Sequence, residues 1–349
     1  MISRPVPSEA PPEALAEPPA RALEDWAEEE SEEPADAGAS ELRSMTMGEA
    51  QHGQRLDRAL ADLVPELSRS YLQQLMALGC VTLQGRSVTK ASTKVKVGDQ
   101  ATLEMRPTLQ SQAFRPEAMA LDIVYEDEHL LIVNKPAGLV VHPAPGNWSG
   151  TLLNGLLARD AKALLVPRAG IVHRLDKDTS GLMVVARDRA TMDALVALIA
   201  ARKVQRQYVA LAHGAWTGQK SVTVDAPIGR DPRNRLRMAV VDLALHAGKT
   251  ARTDVRLLDG ADQGCWVQCT LHTGRTHQIR VHMATLRHPL VGDTLYGGAP
   301  LAGMQRQALH AFRLAFDHPA SGAPLEFFAP VPADMCGALA SWGLSYNPA

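Results

Sequence analysis

Two short apolar runs that flank a polar stretch constrain this 349-residue chain more than any other feature. Residues 171–172 and 182–186 are rich in β-branched side chains, as is typical of buried strands, and Gly181 lets the chain bend between them. The intervening polar residues are His173, Arg174, Asp176, Lys177, Asp178, Thr179 and Ser180. Charged groups between buried strands lie at the mouth of a sheet, where binding and catalytic side chains are common. The spacing alone fits an ordinary charged turn with local Asp–Arg pairing equally well.

The sequence of residues 170–186, Gly-Ile-Val-His-Arg-Leu-Asp-Lys-Asp-Thr-Ser-Gly-Leu-Met-Val-Val-Ala, resembles the His-Arg-Leu-Asp signature of the RluA family of RNA pseudouridine synthases. Two further stretches resemble family motifs: Asn-Lys-Pro-Ala-Gly at 134–138 and Gly-Arg-Thr-His-Gln-Ile-Arg at 274–280. The resemblance covers roughly residues 54–334. It implies that Asp176 is the catalytic residue, that Tyr208 is the active-site tyrosine, and that Arg280 pairs with the catalytic carboxylate.

The chemistry that this resemblance implies suits those three residues. Pseudouridine formation breaks the bond between uracil nitrogen and ribose, turns the base, and rejoins it through carbon. An ionised carboxylate at Asp176 would act as nucleophile or as the base that generates a glycal-type intermediate, and the sequence does not choose between these routes. An arginine at 280 favours the charged carboxylate, and Tyr208 offers a face for the uracil and a hydroxyl for proton removal from carbon 5. Without the family, simple packing is the preferred reading of Tyr208.

The N-terminal 50 residues differ sharply from the rest in charge. They hold thirteen Asp/Glu against three Arg, whereas the remainder holds 33 Lys/Arg against 25 Asp/Glu, for a net charge of +8. Residues 1–48 are rich in Pro, Glu and Ala and have too little apolar surface to offset the entropy of ordering, so we predict a disordered acidic tail. A moderately basic body suits a polyanionic partner.

Residues 54–106 predict a small α+β module of two helices followed by short strands. Ser68 is a candidate N-cap for the second helix, and Gly79 is placed to end it. Residues 55–57, 68–70, 79–81 and 96–99 resemble the α-L RNA-binding motif, which implies that Arg55, Arg69 and Lys96 contact RNA. A helical adaptor with a solvated charged face is the alternative. Residues 107–120 are predicted to be a linker.

Residues 121–335 are predicted to form the catalytic domain, followed by a tail at 336–349. Its local patterns predict strands at 130–133 and 139–141, a helix at 151–157, and another helix capped by Asp188. With the N-terminal module, these elements indicate an α+β protein whose catalytic domain has a mixed, mostly antiparallel sheet. Arg174 and Arg275 are predicted to contact the RNA.

Several kinds of site and location are not expected. Four cysteines are too few for a disulfide framework, and the histidines at 272, 277 and 282 are five apart, which fits no zinc spacing. No metal is therefore predicted. Gly248-Lys-Thr lacks the earlier glycine of a phosphate-binding loop, so no nucleotide cofactor is predicted either. No apolar run approaches the ~20 residues of a membrane span, and the first residues lack the pattern of a signal peptide, so we predict a cytoplasmic protein. We also predict that the protein is a monomer.

The expected partner is RNA of the large ribosomal subunit, because the N-terminal module and the sequence of 175–185 resemble the family members that act there. Three alternatives stay open. The same chemistry on transfer RNA is one, a base-releasing glycosylase is another, and a non-catalytic ribosome-assembly protein is the third.

Overall fold

The computed structural model describes residues 41–345 apart from 66, 68, 106–112 and 145. The described chain divides into two compact units, one within residues 31–115 and the other within residues 116–349. Most of the predicted acidic tail, the first part of the predicted linker and the proposed N-cap Ser68 lie outside the described residues. The predicted domain boundaries therefore stay predictions.

The N-terminal unit is a four-stranded antiparallel sheet with two helices, in the strand order β1-β4-β2-β3. Its elements are β1 (Glu41–Thr46), α1 (Leu56–Leu63), α2 (Arg69–Ala77), β2 (Val81–Leu83), β3 (Arg86–Ser87) and β4 (Gln100–Met105). Apolar side chains at helical spacing on α1 and α2 pack on this sheet, and Leu56, Leu60 and Leu72 are fully buried. After α2 the chain turns at Gly79, whose φ of 73° favours glycine, and its N–H donates to the carbonyl of Met76.

Strand β1 corrects the prediction that residues 1–48 are disordered. Residues 41–46 pair antiparallel with β4, with Arg43 opposite Leu103, and the following Met47 is 1% exposed. This short stretch lacks proline and places methionines against the core. The prediction missed the strand because it rested on the average composition of the whole acidic segment. The outer edge of β4 supplies the backbone partners that make the strand stable.

The C-terminal unit is built on a nine-stranded sheet in the order β5-β6-β7-β14-β8-β13-β12-β9, with β15 also paired to β14. Its strands are β5 (Ile123–Glu126), β6 (Leu130–Lys135), β7 (Ser180–Ala186), β8 (Gln205–His213), β9 (Ser221–Asp225), β10 (Ile228–Asp231), β11 (Asn234–Val240), β12 (Arg252–Ala261), β13 (Gly264–Leu271), β14 (Leu309–Asp317) and β15 (Pro324–Phe328). Its helices are α3 (Leu152–Arg159), α4 (Arg189–Ala200), α5 (Gln278–Thr285) and α6 (Ala333–Ser341). Strands β10 and β11 form a separate hairpin.

Among the described strands of the large sheet, only the β7–β14 pairing is parallel, and the other pairings are antiparallel. The predicted α+β class with a mixed, mostly antiparallel sheet is confirmed. The alternation of β6 shows how the sheet is covered, because successive side chains point to opposite faces. Leu131 and Val133 pack with α3 and α5, whereas Leu130 and Ile132 pack with α4.

The local sequence patterns correctly predicted helices α3 and α4 but wrongly predicted one strand. Thr151 caps α3, and the Asp188 carboxylate accepts from the Thr191 N–H at 2.8 Å to cap α4. The predicted strand at 139–141 is wrong: the carbonyls of Val140 and Val141 instead accept from the first N–H groups of α3. Only Val141 of that apolar run is buried, and the carbonyls of Val140 and Val141 are satisfied by the helix start without a strand ladder.

The predicted strand at 171–172 is reduced to a single bridge between Ile171 and Val185. No helix in the described part of the chain is long and apolar enough to cross a membrane.

Candidate active site

The loop that precedes β7 is held from below by a buried lysine. Lys135, at the end of β6, is fully buried and its Nζ donates to the carbonyls of Pro136, Leu139 and Lys177 at 2.8, 2.8 and 2.9 Å. Burial lowers the pKa of Lys135 to about 7, while the charge of Asp176 opposes that shift. The Thr179 N–H donates to the carbonyl of Asp176. The backbone at Asp176 and at the residue after it is thereby fixed.

The same loop is also fastened to β14. Gly181 has a φ of 116°, and a Cβ there would lie 2.2 Å from the carbonyl oxygen of Ala311, so only glycine permits this close strand approach. The Ser180 hydroxyl lies 2.9 Å from Nδ1 of His310, and the Arg306 guanidinium donates to the carbonyl of Asp178 at 2.9 Å. These contacts make the loop part of a rigid sheet.

Asp176 and Arg280 form the central ion pair of the site. Arg280 Nη1 donates to Asp176 Oδ2 at 3.1 Å. The same guanidinium donates from Nε and Nη2 to both carboxylate oxygens of Asp293, at 2.8 and 2.9 Å. The Asp293 side chain is 1% exposed and that of Asp176 is 16% exposed. Asp293 therefore clamps the arginine from within, and Asp176 meets it at the side open to solvent.

His277 lies on the other side of Asp176 and is oriented by a tyrosine. Its Nε2 is 3.9 Å from Asp176 Oδ1, and its Nδ1 is 2.7 Å from the Tyr296 hydroxyl. That hydroxyl already accepts from the Met238 N–H at 2.9 Å. In the neutral tautomer whose Nδ1 accepts the tyrosine proton, the ring proton lies on Nε2 and faces Asp176. His277 adopts a left-handed φ of 55° at the start of α5.

The Asp176 carboxyl is ionised at neutral pH. Burial works to raise its pKa, but His277, Arg280 and Arg174 outweigh burial and hold the pKa below the ordinary value. The site therefore presents a desolvated carboxylate that keeps its charge.

Tyr208 lies in the middle of the sheet on β8, between β13 and β14, and is 5% exposed. Burial raises its pKa to about 12, and the Asp176 charge adds to that shift while Arg206 opposes it. The phenol is thus protonated at neutral pH and close enough to Asp176 to sense its charge.

The structure brings Asp176, Tyr208 and Arg280 together in the C-terminal unit. The predicted RNA-contact residues differ in how exposed they are. Arg174 is exposed beside Asp176, and half-buried Arg275 donates from Nε to the carbonyl of Thr250 at 3.2 Å. Lys96 is exposed on the N-terminal unit.

Arg55 and Arg69 are both bound to a buried carboxylate. Asp57, whose side chain is fully buried, accepts from Arg55 Nε at 3.0 Å and from Arg69 Nη2 at 2.7 Å. The Gln73 amide donates to it at 2.6 Å. The two guanidinium groups stay about half exposed, so each faces solvent as well as Asp57.

Sequence reasoning missed four residues of the site: Lys135, His277, Asp293 and Tyr296. Lys135 and His277 lie within the motif stretches named above, whereas Asp293 and Tyr296 lie outside them, within the wider span of the resemblance, so the resemblance itself was the available signal. Their roles depend on contacts between distant segments, which spacing within one motif does not reveal.

Among the described residues, no cluster of three or more His, Cys, Asp or Glu side chains is arranged to hold a metal ion. Cys265 and Cys269 are buried in the core, and burial raises the pKa of the Cys265 thiol to about 12. They are packed as neutral thiols rather than as thiolate ligands.

Comparison with known families finds two matches. The profile described as RNA pseudouridylate synthase matches residues 129–285, which include Asp176, Tyr208 and Arg280. The S4 domain profile matches residues 54–100, in the N-terminal unit.

Curated relatives resemble almost the whole chain. The ribosomal large subunit pseudouridine synthase D of Xylella fastidiosa is 48% identical over 312 residues, covering 86% of this chain and 92% of the relative. The protein of the same name from Xanthomonas campestris is 46% identical over 321 residues, covering 88% and 93%. Among solved structures, human RNA pseudouridylate synthase domain containing 4 is similar in fold, with a TM-score of 0.50 and 23% identity over 64% of this chain and 94% of that one.

Proposed function

This chain belongs to the RluA family of RNA pseudouridine synthases, and on that premise we propose that it converts uridines of large-subunit ribosomal RNA to pseudouridine through Asp176. The family makes the chain an isomerase. The proposal adds the substrate and the roles of the residues, including Asp176 as nucleophile or as base at the junction of ribose and uracil.

The observation that carries the proposal is the ion pair between Asp176 and Arg280. A carboxylate that attacks or deprotonates ribose has to be ionised and partly desolvated at the same time, and these requirements oppose each other. The guanidinium bond at 3.1 Å is one of the interactions that keep Asp176 charged, and the Asp293 clamp holds that guanidinium in place. Oδ1 of Asp176, with His277 at 3.9 Å, is the oxygen left available to the substrate.

Tyr208 is proposed to receive the uracil after the base leaves its stack. Its ring supplies a flat face and its neutral hydroxyl supplies a group for moving the carbon 5 proton. Extruding a base from RNA costs a few kcal/mol and costs least in loops, so a loop uridine is the expected target.

His277 is proposed to act on Asp176 from the side opposite Arg280. With its proton on Nε2, it stabilises the carboxylate and closes toward Oδ1 when the substrate excludes water. Tyr296 is a positioning residue in this scheme, because its hydroxyl fixes the imidazole tautomer.

The substrate assignment is supported by the names of the curated relatives, which are ribosomal large subunit pseudouridine synthases. We propose that the S4-like N-terminal unit binds that RNA. The expected contacts are made by Lys96, Arg174 and Arg275. Arg55 and Arg69 contribute the part of their charge that faces solvent. We propose that the protein works as a monomer in the cytoplasm and that its reaction, which has no net redox change, needs no cofactor.

The test is to incubate the purified full-length chain with large-subunit ribosomal RNA and, separately, with transfer RNA transcribed in vitro. Pseudouridines are then mapped at nucleotide resolution and free uracil is measured. We expect discrete sites in ribosomal RNA, none in transfer RNA and no released uracil. Sites only in transfer RNA would refute the substrate, and released uracil would indicate a glycosylase.

A further inference from the structure

A second arginine lies on the wall of the site, and the catalytic scheme above does not use it. Arg206 is on β8, two residues before Tyr208, so both side chains point to the same face of the sheet. Ala210 and Ala212, which continue this alternation, pack in the core cluster on that face. Arg206 is 7% exposed, a rare degree of burial for an arginine.

This buried cation has no counter-ion among the described residues. None of their carboxylates forms an ion pair with it, and its buried Nε has no hydrogen-bond acceptor. Burial lowers the pKa of Arg206, and the nearby Arg275 adds like-charge repulsion. A buried, unpaired guanidinium is destabilising, and it is retained in proteins where a ligand supplies the missing charge.

A second buried donor lies within range of the Arg206 charge. His173, three residues before Asp176, is 5% exposed, and its Nε2 accepts from the Val184 N–H at 3.0 Å. Burial, with Arg206 as the second cause, lowers the pKa of His173 to about 3, so the ring is neutral and its proton lies on Nδ1. That Nδ1 is buried and has no acceptor among the described residues.

The backbone at Gly274 lies close to the guanidinium. A Cβ at Gly274 would lie 2.7 Å from Arg206 Nη1, so the absence of a side chain there leaves room for the arginine. The next residue, Arg275, adds positive charge. Arg206 thus brings an unmet donor and, with Arg275, positive charge to the wall that carries Tyr208, and the unmet Nδ1 of His173 lies within range of the same charge.

We propose that Arg206 and His173 form a subsite for one backbone phosphate of the RNA, next to the uridine that enters the site. The proposal rests on the proposed function, since it names the contact by which that substrate is held. A phosphate fits because it brings the formal negative charge that Arg206 lacks, together with acceptors for both donors. A uracil carbonyl would satisfy one donor and leave the charge unbalanced.

The experiment uses the full-length chain and a stem-loop cut from the ribosomal RNA around a pseudouridine mapped as above. Each phosphate near the target is replaced, one at a time, by an uncharged methylphosphonate, and binding is measured for the wild type and for Arg206→Gln. At one position we expect the wild type to lose about tenfold or more in affinity. At that position Arg206→Gln should lose less than about twofold, because the contact is already gone.

Two controls separate this contact from damage to the fold. Arg206→Lys keeps the charge and should keep the sensitivity to that methylphosphonate. Arg189→Gln removes an exposed arginine of α4 that pairs with Asp193, and its methylphosphonate profile should match the wild type. Circular dichroism checks that each variant is folded. In addition, Arg206→Gln should reduce the slope of log affinity against log salt by about 0.7 to 0.9.

The inference is overturned if no methylphosphonate position distinguishes the wild type from Arg206→Gln, or if replacing a uracil carbonyl does so instead. In either case the wild type still makes pseudouridine, so the proposed function survives. If the wild type converts no ribosomal RNA, the proposed function fails and this inference fails with it.

Discussion

Each unit of the chain contains a carboxylate surrounded by arginine, and the two differ in how completely the carboxylate is satisfied. Asp57 is fully buried and receives hydrogen bonds from two arginines and a glutamine. The Asp176 side chain is 16% exposed and receives one hydrogen bond from Arg280, whose Nε and Nη2 donate to Asp293 instead.

The difference lies in the count of donors and acceptors rather than in residue type. In the N-terminal unit three side chains serve one carboxylate, which leaves it no capacity for a ligand. In the C-terminal unit two carboxylates share one arginine, which leaves one oxygen of Asp176 to react. A satisfied pair stabilises a fold, and an incompletely satisfied pair that stays charged is suited to chemistry.

Replacing Asp176 with Asn should have the largest effect on turnover. We expect the rate of pseudouridine formation to fall by at least about 10⁴-fold, because the amide neither attacks nor deprotonates ribose. RNA affinity and the melting temperature should stay close to those of the wild type, since the amide fits the same space. Single-turnover kinetics, binding and thermal unfolding measure the three quantities, and retained turnover would remove Asp176 from the chemistry.

Replacing Arg280 with Met should lower the rate by about 10²- to 10³-fold, by analogy with the loss of a preorganised charge. Removing the cation raises the pKa of Asp176, so activity on acidification should be lost at a higher pH than in the wild type. Arg280→Lys, which retains the charge, should shift the profile less. The rate–pH profile is the measurement, and an unmoved acidic limb in the Met variant would contradict the ion-pair role.

Replacing Asp57 with Asn should act on stability instead, with a loss of about 1–3 kcal/mol in the unfolding of the N-terminal unit at pH 7. The bonds from Arg55, Arg69 and Gln73 lower the pKa of Asp57 against the opposing effect of burial. Its contribution is therefore complete above the unfolded value of about 3.9 and is lost as the pH falls toward the folded value. Urea unfolding should show the wild type and the variant converging in acid.

Asp62→Asn is the matched control for Asp57, because Asp62 is exposed on the same helix. It should leave the unfolding free energy within about 0.5 kcal/mol of the wild type. Equal losses in both variants would show that the buried cluster is not a special source of stability.

The smallest expected effect distinguishes the exposed Lys96 of the N-terminal unit from Arg55, which pairs with Asp57. Lys96→Gln should reduce the slope of log RNA affinity against log salt by about 0.7 to 0.9, without changing stability. Arg55→Gln should change that slope less, because part of its charge interacts with Asp57. The reverse order, measured by salt titration of binding, would mean that the Asp57 cluster is itself an RNA contact.

Sequence reasoning succeeded where the controlling interactions are local. The predicted helix start near Thr151, the predicted cap at Asp188 and the predicted turn at Gly79 are each decided by residues within one helical turn. The continuous apolar run at 130–133 likewise placed β6. By contrast, residues 139–141 have a strand-like composition, and only their position under α3 shows that they form no strand.

The site was predicted through motif resemblance, not through geometry. Asp176 and Arg280 are 104 residues apart, and nothing in either segment alone indicates their contact. The tyrosine that orients His277 comes from a third segment, and the unpaired state of Arg206 depends on what its neighbours fail to supply. Such features are properties of the assembled sheet, so they become visible only in three dimensions.

The parallel pairing of β7 with β14 sets the order in which a growing chain can become active. Ser180 is joined to His310, 130 residues later, and Arg306 holds the carbonyl of Asp178. During synthesis, the segment with Asp176 therefore leaves the ribosome long before the strand that fixes it. Such distant closure is slow compared with local folding, and nascent or prematurely terminated chains should be inactive until residue 311 has emerged.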